Sequence, residues 1–91
     1  MDITEYADVI GRELEIRYYP SQNHRFSAQF NGAEVKGDGV LSSSFGDGKT
    51  PDEALINYLA EIRGRTIVFN ASRPNRAEFI VPETVTWKGG A

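Results

Sequence analysis

The stretch Gly46-Asp47-Gly48-Lys49-Thr50-Pro51-Asp52-Glu53, running into the apolar segment Ala54 to Ile62, decides the fold. Thr50 is a helix N-cap type, Pro51 suits the first helical position, and Glu53 stands where a Thr-x-x-Glu capping box closes. The pattern predicts a helix from Pro51 onward, ended by Gly64. Gly-x-Gly-Lys-Thr ahead of a helix has the outline of a phosphate-binding loop, but its chemistry opposes that use. Pro51 removes an N–H, Glu53 is expected to bond back to the cap, and two carboxylates sit where an anion would go. Donors for any anion must come from elsewhere in the chain.

Upstream of this helix the pattern is β. Leu14, Ile16 and Tyr18 alternate with Glu13, Glu15, Arg17 and Tyr19, a half-buried strand stopped by Pro20. Phe26, Ala28 and Phe30 alternate with Ser27 and Gln29. Asn31-Gly32 is a primed hairpin turn, after which a third strand runs through Val35 to Gly37-Asp38-Gly39. Val40 to Phe45 reads as strand, as a continuation of the third across a glycine kink or as a fourth. Residues 1–11 read as a short helix capped by Thr4 and ended by Gly11. Downstream, Thr66–Phe69 and Glu78–Val81 are strands separated by a loop containing Pro74, and residues 83–91 read as a loose tail.

The expected fold is α+β: a single domain over residues 1–91, with a mostly antiparallel sheet of about five strands, the long helix on one face and a short N-terminal helix. The apolar residues of the long helix cover about two thirds of its circumference at 100° per residue. One sheet face covers less than that, so the N-terminal helix and a second subunit are both expected to pack on it, in a dimer or higher assembly.

Ninety-one residues form one modest core, and a chain so small gains from association with copies of itself. There are no cysteines, which excludes disulfides, thiolate metal sites and cysteine nucleophiles and suits a reducing cytoplasm. No apolar run is long enough for a bilayer and the N-terminus has no signal-peptide pattern, so no membrane association is expected. The net charge of −3 is a poor background for long nucleic acid.

Catalytic groups are sparse. The single His24 lies in a polar loop without a nucleophile, and the ordinary reading is a surface histidine. Glu13 and Glu15 share a solvent face, and nothing separates their environments into an acid and a base. Asp38 and Asp47 sit in glycine-rich turns, where Asp is common turn chemistry. No spacing suggests a metal site, no cofactor motif is present, and no enzyme activity is expected.

Binding groups are better supplied. Arg63, Arg65, Arg73 and Arg76 fall in a window without acidic residues, so that window is +4 and the remainder of the chain −7. A compact arginine cluster on an acidic body suits a small anion. Arg73-Pro74-Asn75-Arg76 presents two guanidiniums on a loop stiffened by proline. Phe45, at the end of a strand beside a glycine turn, is placed to stack on a base, or else to cap the helix start. Tyr19 faces away from the Leu14–Ile16–Tyr18 side, and Arg25 can add donors from the loop before the second strand.

Several segments together resemble phage anti-Thoeris proteins of the first described type. They are Leu14-Glu15-Ile16-Arg17-Tyr18-Tyr19-Pro20, Phe26-Ser27-Ala28-Gln29-Phe30, the Gly46–Ala54 helix start, Ile62-Arg63-Gly64-Arg65-Thr66-Ile67-Val68 and Phe79-Ile80-Val81-Pro82. The resemblance implies a sponge in the host bacterial cytoplasm that binds a cyclic nucleotide immune signal without cleaving it. The signal would be a cyclic ADP-ribose isomer, with cyclic oligonucleotides as a further class. The resemblance also implies a homo-oligomer, a dimer or hexamer, that encloses ligand at subunit interfaces. The implied contacts are Phe45, Arg73 and Arg76, with Asn57 on the polar stripe of the helix as a further candidate. Thr-Pro-x-Glu-Ala is also similar to the turn and helix of HicB-type antitoxins. A protein-partner module, such as an antitoxin or an inhibitor of a host enzyme, therefore stands as the alternative, with the acidic face of Glu13 and Glu15 as its site. An RNA-binding domain is disfavoured by the net charge and by a helix without basic residues.

Overall fold

In the computed structural model, which describes residues 1–88, nine elements follow in chain order: α1 (Ile3–Ile10), β1 (Leu14–Tyr19), β2 (Arg25–Phe30), β3 (Ala33–Gly37), β4 (Val40–Ser43), β5 (Gly46–Gly48), α2 (Pro51–Ile62), β6 (Thr66–Phe69) and β7 (Ala77–Ile80). The class is α+β and every strand pairing is antiparallel, but the strands form two sheets instead of the single five-stranded sheet expected. One sheet has the order β1-β2-β5 and the other β4-β3-β6-β7.

The division arises at two turns. Asn31-Gly32 does not close a hairpin. Both edges of β2 are already taken, by β1 and β5, so β3 has nowhere to add and passes into the second sheet. The two-residue hairpin turn lies instead at Asp38-Gly39, where Gly37 faces Val40 and both turn residues have positive φ, 49° and 79°. That geometry is the primed turn that matches strand twist. It also overturns the idea that Val40 onward continues β3 across a kink.

The helix caps follow the sequence with two corrections. Thr50 Oγ1 accepts from the Glu53 N–H at 3.1 Å, and Pro51 opens α2. The complete reciprocal box sits on α1, where Asp2, and not Thr4, is the N-cap and Glu5 bonds back. Hydrogen bonding to the Thr4 hydroxyl and N–H holds the Asp2 carboxyl below its usual range.

α2 lies on β2 and β5, with Ala54, Leu55, Tyr58, Leu59 and Ile62 buried. Phe30, at the end of β2, is where the two sheets and both helices meet. Its ring lies 6.2 Å from Tyr6 of α1, 6.0 Å from Tyr58 of α2 and 6.5 Å from Phe69 of β6. Arg12 lays its guanidinium 4.5 Å over the Phe69 ring.

The segment expected to be a loose tail over 83–91 is docked where it is described. Val85 is fully buried, and Thr86 bridges Asp2, accepting from the Ile3 N–H at 2.9 Å. Trp87 Nε1 donates to Asp52 Oδ1 at 2.8 Å. Apolar Val85 and Trp87, three residues and more beyond Pro82, anchor the chain in place of fraying; residues 89–91 lie outside the described part. Most of the apolar face of α2 is thus covered within one chain, and Ile56 remains exposed.

Candidate ligand-binding cleft

Alternation along the first sheet sends one set of side chains to α2 and the other to the open face. Phe26, Ala28 and Phe30 point toward the helix with Leu14, Ile16 and Tyr18. Ser27, Gln29 and Arg25 point the other way, opposite Arg17, Glu15 and Tyr19. β5 adds Asp47 to the open face, directly opposite Ser27. Phe45, just before β5, closes the side. A cavity of about 490 Å³ results, lined by Tyr19, Gln22, Arg25, Ser27, Gln29, Phe45 and Asp47. That volume lies within the range that holds small ligands.

The Gly-Asp-Gly of β5 is explained by its two faces. A Cβ on Gly46 would stand 2.0 Å from the Ala54 carbonyl oxygen, and one on Gly48 would stand 2.7 Å from the Ala54 nitrogen. Both glycines therefore let the helix backbone press directly on the strand. Asp47 between them is turned into the cleft. Asn57, from the polar stripe of α2, donates to the Asp47 carbonyl at 2.6 Å. Asn57 thus braces β5 from the helix side.

Within the cleft Arg25 grips Asp47 through two points. Nε donates to Oδ1 at 2.8 Å, and a terminal guanidinium nitrogen meets Oδ2. Hydrogen bonding and charge from Asp47 push the Arg25 guanidinium above its ordinary range. The fork leaves further N–H groups of Arg25 for a ligand. Phe45 remains 54% exposed, with one edge of the cavity formed by its ring. The cleft thus offers two aromatic rings, one cation, one anion and three neutral hydrogen-bonding side chains. Such a set can stack a base, read its edge through amides and hold a hydroxyl or a phosphate.

Of the six candidate residues, Tyr19, Arg25 and Phe45 are brought together, and Asn57 lies behind them. Arg73 and Arg76 are on the loop between β6 and β7, in the other sheet, and neither lines this cavity. Arg76 is held locally: Nε donates to Glu78 Oε2 at 3.1 Å and a terminal nitrogen donates to the Ala71 carbonyl at 3.2 Å. Arg73 is exposed. His24 turns to the helix face, where Nδ1 meets the Tyr18 hydroxyl at 2.6 Å. Sequence reasoning missed Asp47, Gln22, Ser27 and Gln29. The signal for Ser27 and Gln29 was their alternation with Phe26, Ala28 and Phe30.

A second cavity, of about 700 Å³, lies between α1, β1 and the start of α2, with Leu14, Ile16, Leu55 and Trp87 in its wall. Among the described residues no group of three or more His, Cys, Asp or Glu is disposed to hold a metal ion, and no helix is long and apolar enough to cross a membrane.

Fold and cleft define an α+β domain with a cleft of ligand size on the open face of a three-stranded sheet. Compared with known protein families, curated proteins and solved structures, the chain matches none.

Proposed function

We propose that this protein binds and sequesters a cyclic nucleotide signal of the cyclic ADP-ribose class without cleaving it. The observation that carries this reading is the convergence of Tyr19, Phe45 and Arg25 on one cavity floored by Ser27 and Gln29. A purine stacks on Phe45 or Tyr19, the glutamine amides meet its edge, Asp47 accepts from a ribose hydroxyl, and Arg25 takes a phosphate oxygen. Sequestration asks for tight binding, and the rings, amides and guanidinium that line this cleft are binding groups. Because Arg25 and Asp47 cancel, a pyrophosphate calls for additional cations. Arg73 and Arg76 of a neighbouring subunit in a homo-oligomer are the ones this reading assigns.

Calorimetry with cyclic ADP-ribose isomers tests the proposal. Saturable heat is expected, with the nucleotide recovered intact by chromatography. Phe45→Ala is expected to weaken binding about 5- to 150-fold, the worth of about 1–3 kcal/mol for one stacked base. Its exposure keeps the loss of stability within about 0.5 kcal/mol. Absence of both heat and a thermal shift with wild-type protein overturns the reading. Unchanged affinity in both Arg73→Ala and Arg76→Ala removes the neighbouring-subunit arginines from it and confines the site to the sheet.

A further inference from the structure

β1 is the longest strand edge without a partner among the described residues. It has six residues, whereas the other outer strands, β4, β5 and β7, have four, three and four. An exposed edge of that length pairs readily with another chain unless proline, a bulge or charged side chains, lysine above all, block it. Leu14-Glu15-Ile16-Arg17-Tyr18-Tyr19 has no proline, lysine or bulge, and its two charges, Glu15 and Arg17, are opposite in sign, so they select a partner register instead of repelling every one. Ile16 and Tyr18 are also 44% and 49% exposed, because α2 covers β2 and β5 and stops short of β1.

The orientation of the edge follows from the ladder. The Asn31 N–H donates to the Glu13 carbonyl, so Glu13 and the odd residues after it direct their backbone groups toward β2. Phe30, opposite Leu14, sends its N–H away from β1 to the Tyr58 hydroxyl, as the alternation requires. The N–H and C=O groups of Leu14, Ile16 and Tyr18 therefore point outward along the free edge.

We infer that a second copy of this chain occupies this edge, with β1 pairing antiparallel to β1 across a two-fold axis at Ile16. The charge pattern selects that register. Centring on Ile16 sets Glu15 opposite the second copy's Arg17, and Arg17 opposite its Glu15, while Leu14 faces Tyr18. A shift of one step either way sets Glu15 against Glu15 or Arg17 against Arg17. Like charges directly opposite are destabilising and opposite charges stabilising. In the single chain the same two side chains meet at 3.0 Å, so both charges already lie side by side on one face of β1, where the second copy's pair would join them. The pairing uses the outward backbone groups of all three even residues, joins the apolar stripes of Leu14, Ile16 and Tyr18, and makes one six-stranded sheet. Both clefts then open on the same face of that sheet. The interface is isologous, as two-fold dimers require.

Sedimentation velocity over a dilution series tests this register, independently of any nucleotide. Wild-type protein is expected to dissociate reversibly from dimer to monomer. Arg17→Glu sets Glu against Glu at both ends and is expected to raise the dimer dissociation constant at least about tenfold. Combining it with Glu15→Arg restores complementary pairs in the same register and is expected to bring the constant back. Ile16→Pro removes an N–H that β2 does not use, so circular dichroism should show a folded monomer. Amide exchange at Leu14, Ile16 and Tyr18 should slow as concentration rises. A wild-type chain that stays monomeric throughout, a dimer indifferent to Arg17→Glu, or a double variant that fails to recover each overturns the inference. A heteropartner seated on β1 with no self-association overturns it as well.

Discussion

Tyr58 is buried beneath β2, and its hydroxyl accepts the Phe30 N–H at 3.0 Å. That N–H points past the end of β5, so no strand carbonyl replaces the phenol. Burial pushes the Tyr58 phenol up from 10.0 to about 12, with the Phe30 N–H acting slightly in the opposite sense. Below pH 10 the phenol is neutral in folded and unfolded chains, and the folded state keeps this contribution in full. Between pH 10 and about 12 the unfolded chain ionises first, and on the order of 3 kcal/mol is lost over that window. Urea unfolding across that alkaline range should show the decline. Tyr58→Phe should make it shallower, leaving the part that burial of the Tyr6 phenol contributes, and cost about 1–3 kcal/mol at neutral pH, because the buried Phe30 N–H loses its partner. The same scale shows that the +4 window is less isolated in space than along the chain. The acid-free window ends just before Glu78, and Glu78 is the residue that holds Arg76. Counting charge by window separates two side chains that fold onto each other.

Contact between β5 and α2 sets the position of the cleft, and it depends on backbone lying on backbone. Gly46→Ala drives a methyl into the Ala54 carbonyl and the Tyr58 amide, neither of which can move without distorting the helix. A loss of about 3 kcal/mol or more is expected, which for a chain of this size lowers the melting temperature by more than about 10 °C. Gly37→Ala is the control: nothing lies within 4 Å of its Cβ, and its melting temperature should barely change. Local signals were strong for such elements. Pro51 and Thr50 fixed the start of α2, and alternation fixed both faces of β1 and β2. Sheet membership was not legible, because Asn31-Gly32 and Asp38-Gly39 carry the same turn chemistry. Which of them closes a hairpin depends on whether the preceding strand still has a free edge, and that is a property of distant residues. Asp47 was hidden for a related reason: three residues of β5 are too few for alternation to stand out from a glycine-rich turn.

Across the whole molecule, two sheets that share no ladder are joined through Phe30 and through the docked C-terminal segment. Rings from α1, α2 and β6 all contact Phe30, so neither sheet can open without exposing the other's core face. The segment after Pro82 adds a second tie: Val85 is buried, Thr86 bridges the residues around Asp2, and Trp87 bonds Asp52 at the start of α2. Such cross-connection makes one cooperative unit of the chain, in contrast to a sheet with a fraying end. Trp87 is the only tryptophan, so its fluorescence reports on the C-terminal segment alone, while far-ultraviolet circular dichroism reports on both sheets and both helices. The two signals should change together in urea, with one midpoint and one slope. Removing the Trp87–Asp52 bond by Asp52→Ala should lower that shared midpoint without splitting the curves. A fluorescence transition at lower urea than the dichroism transition would show instead that residues 83–88 melt separately, and that the cleft-bearing sheet stands without them.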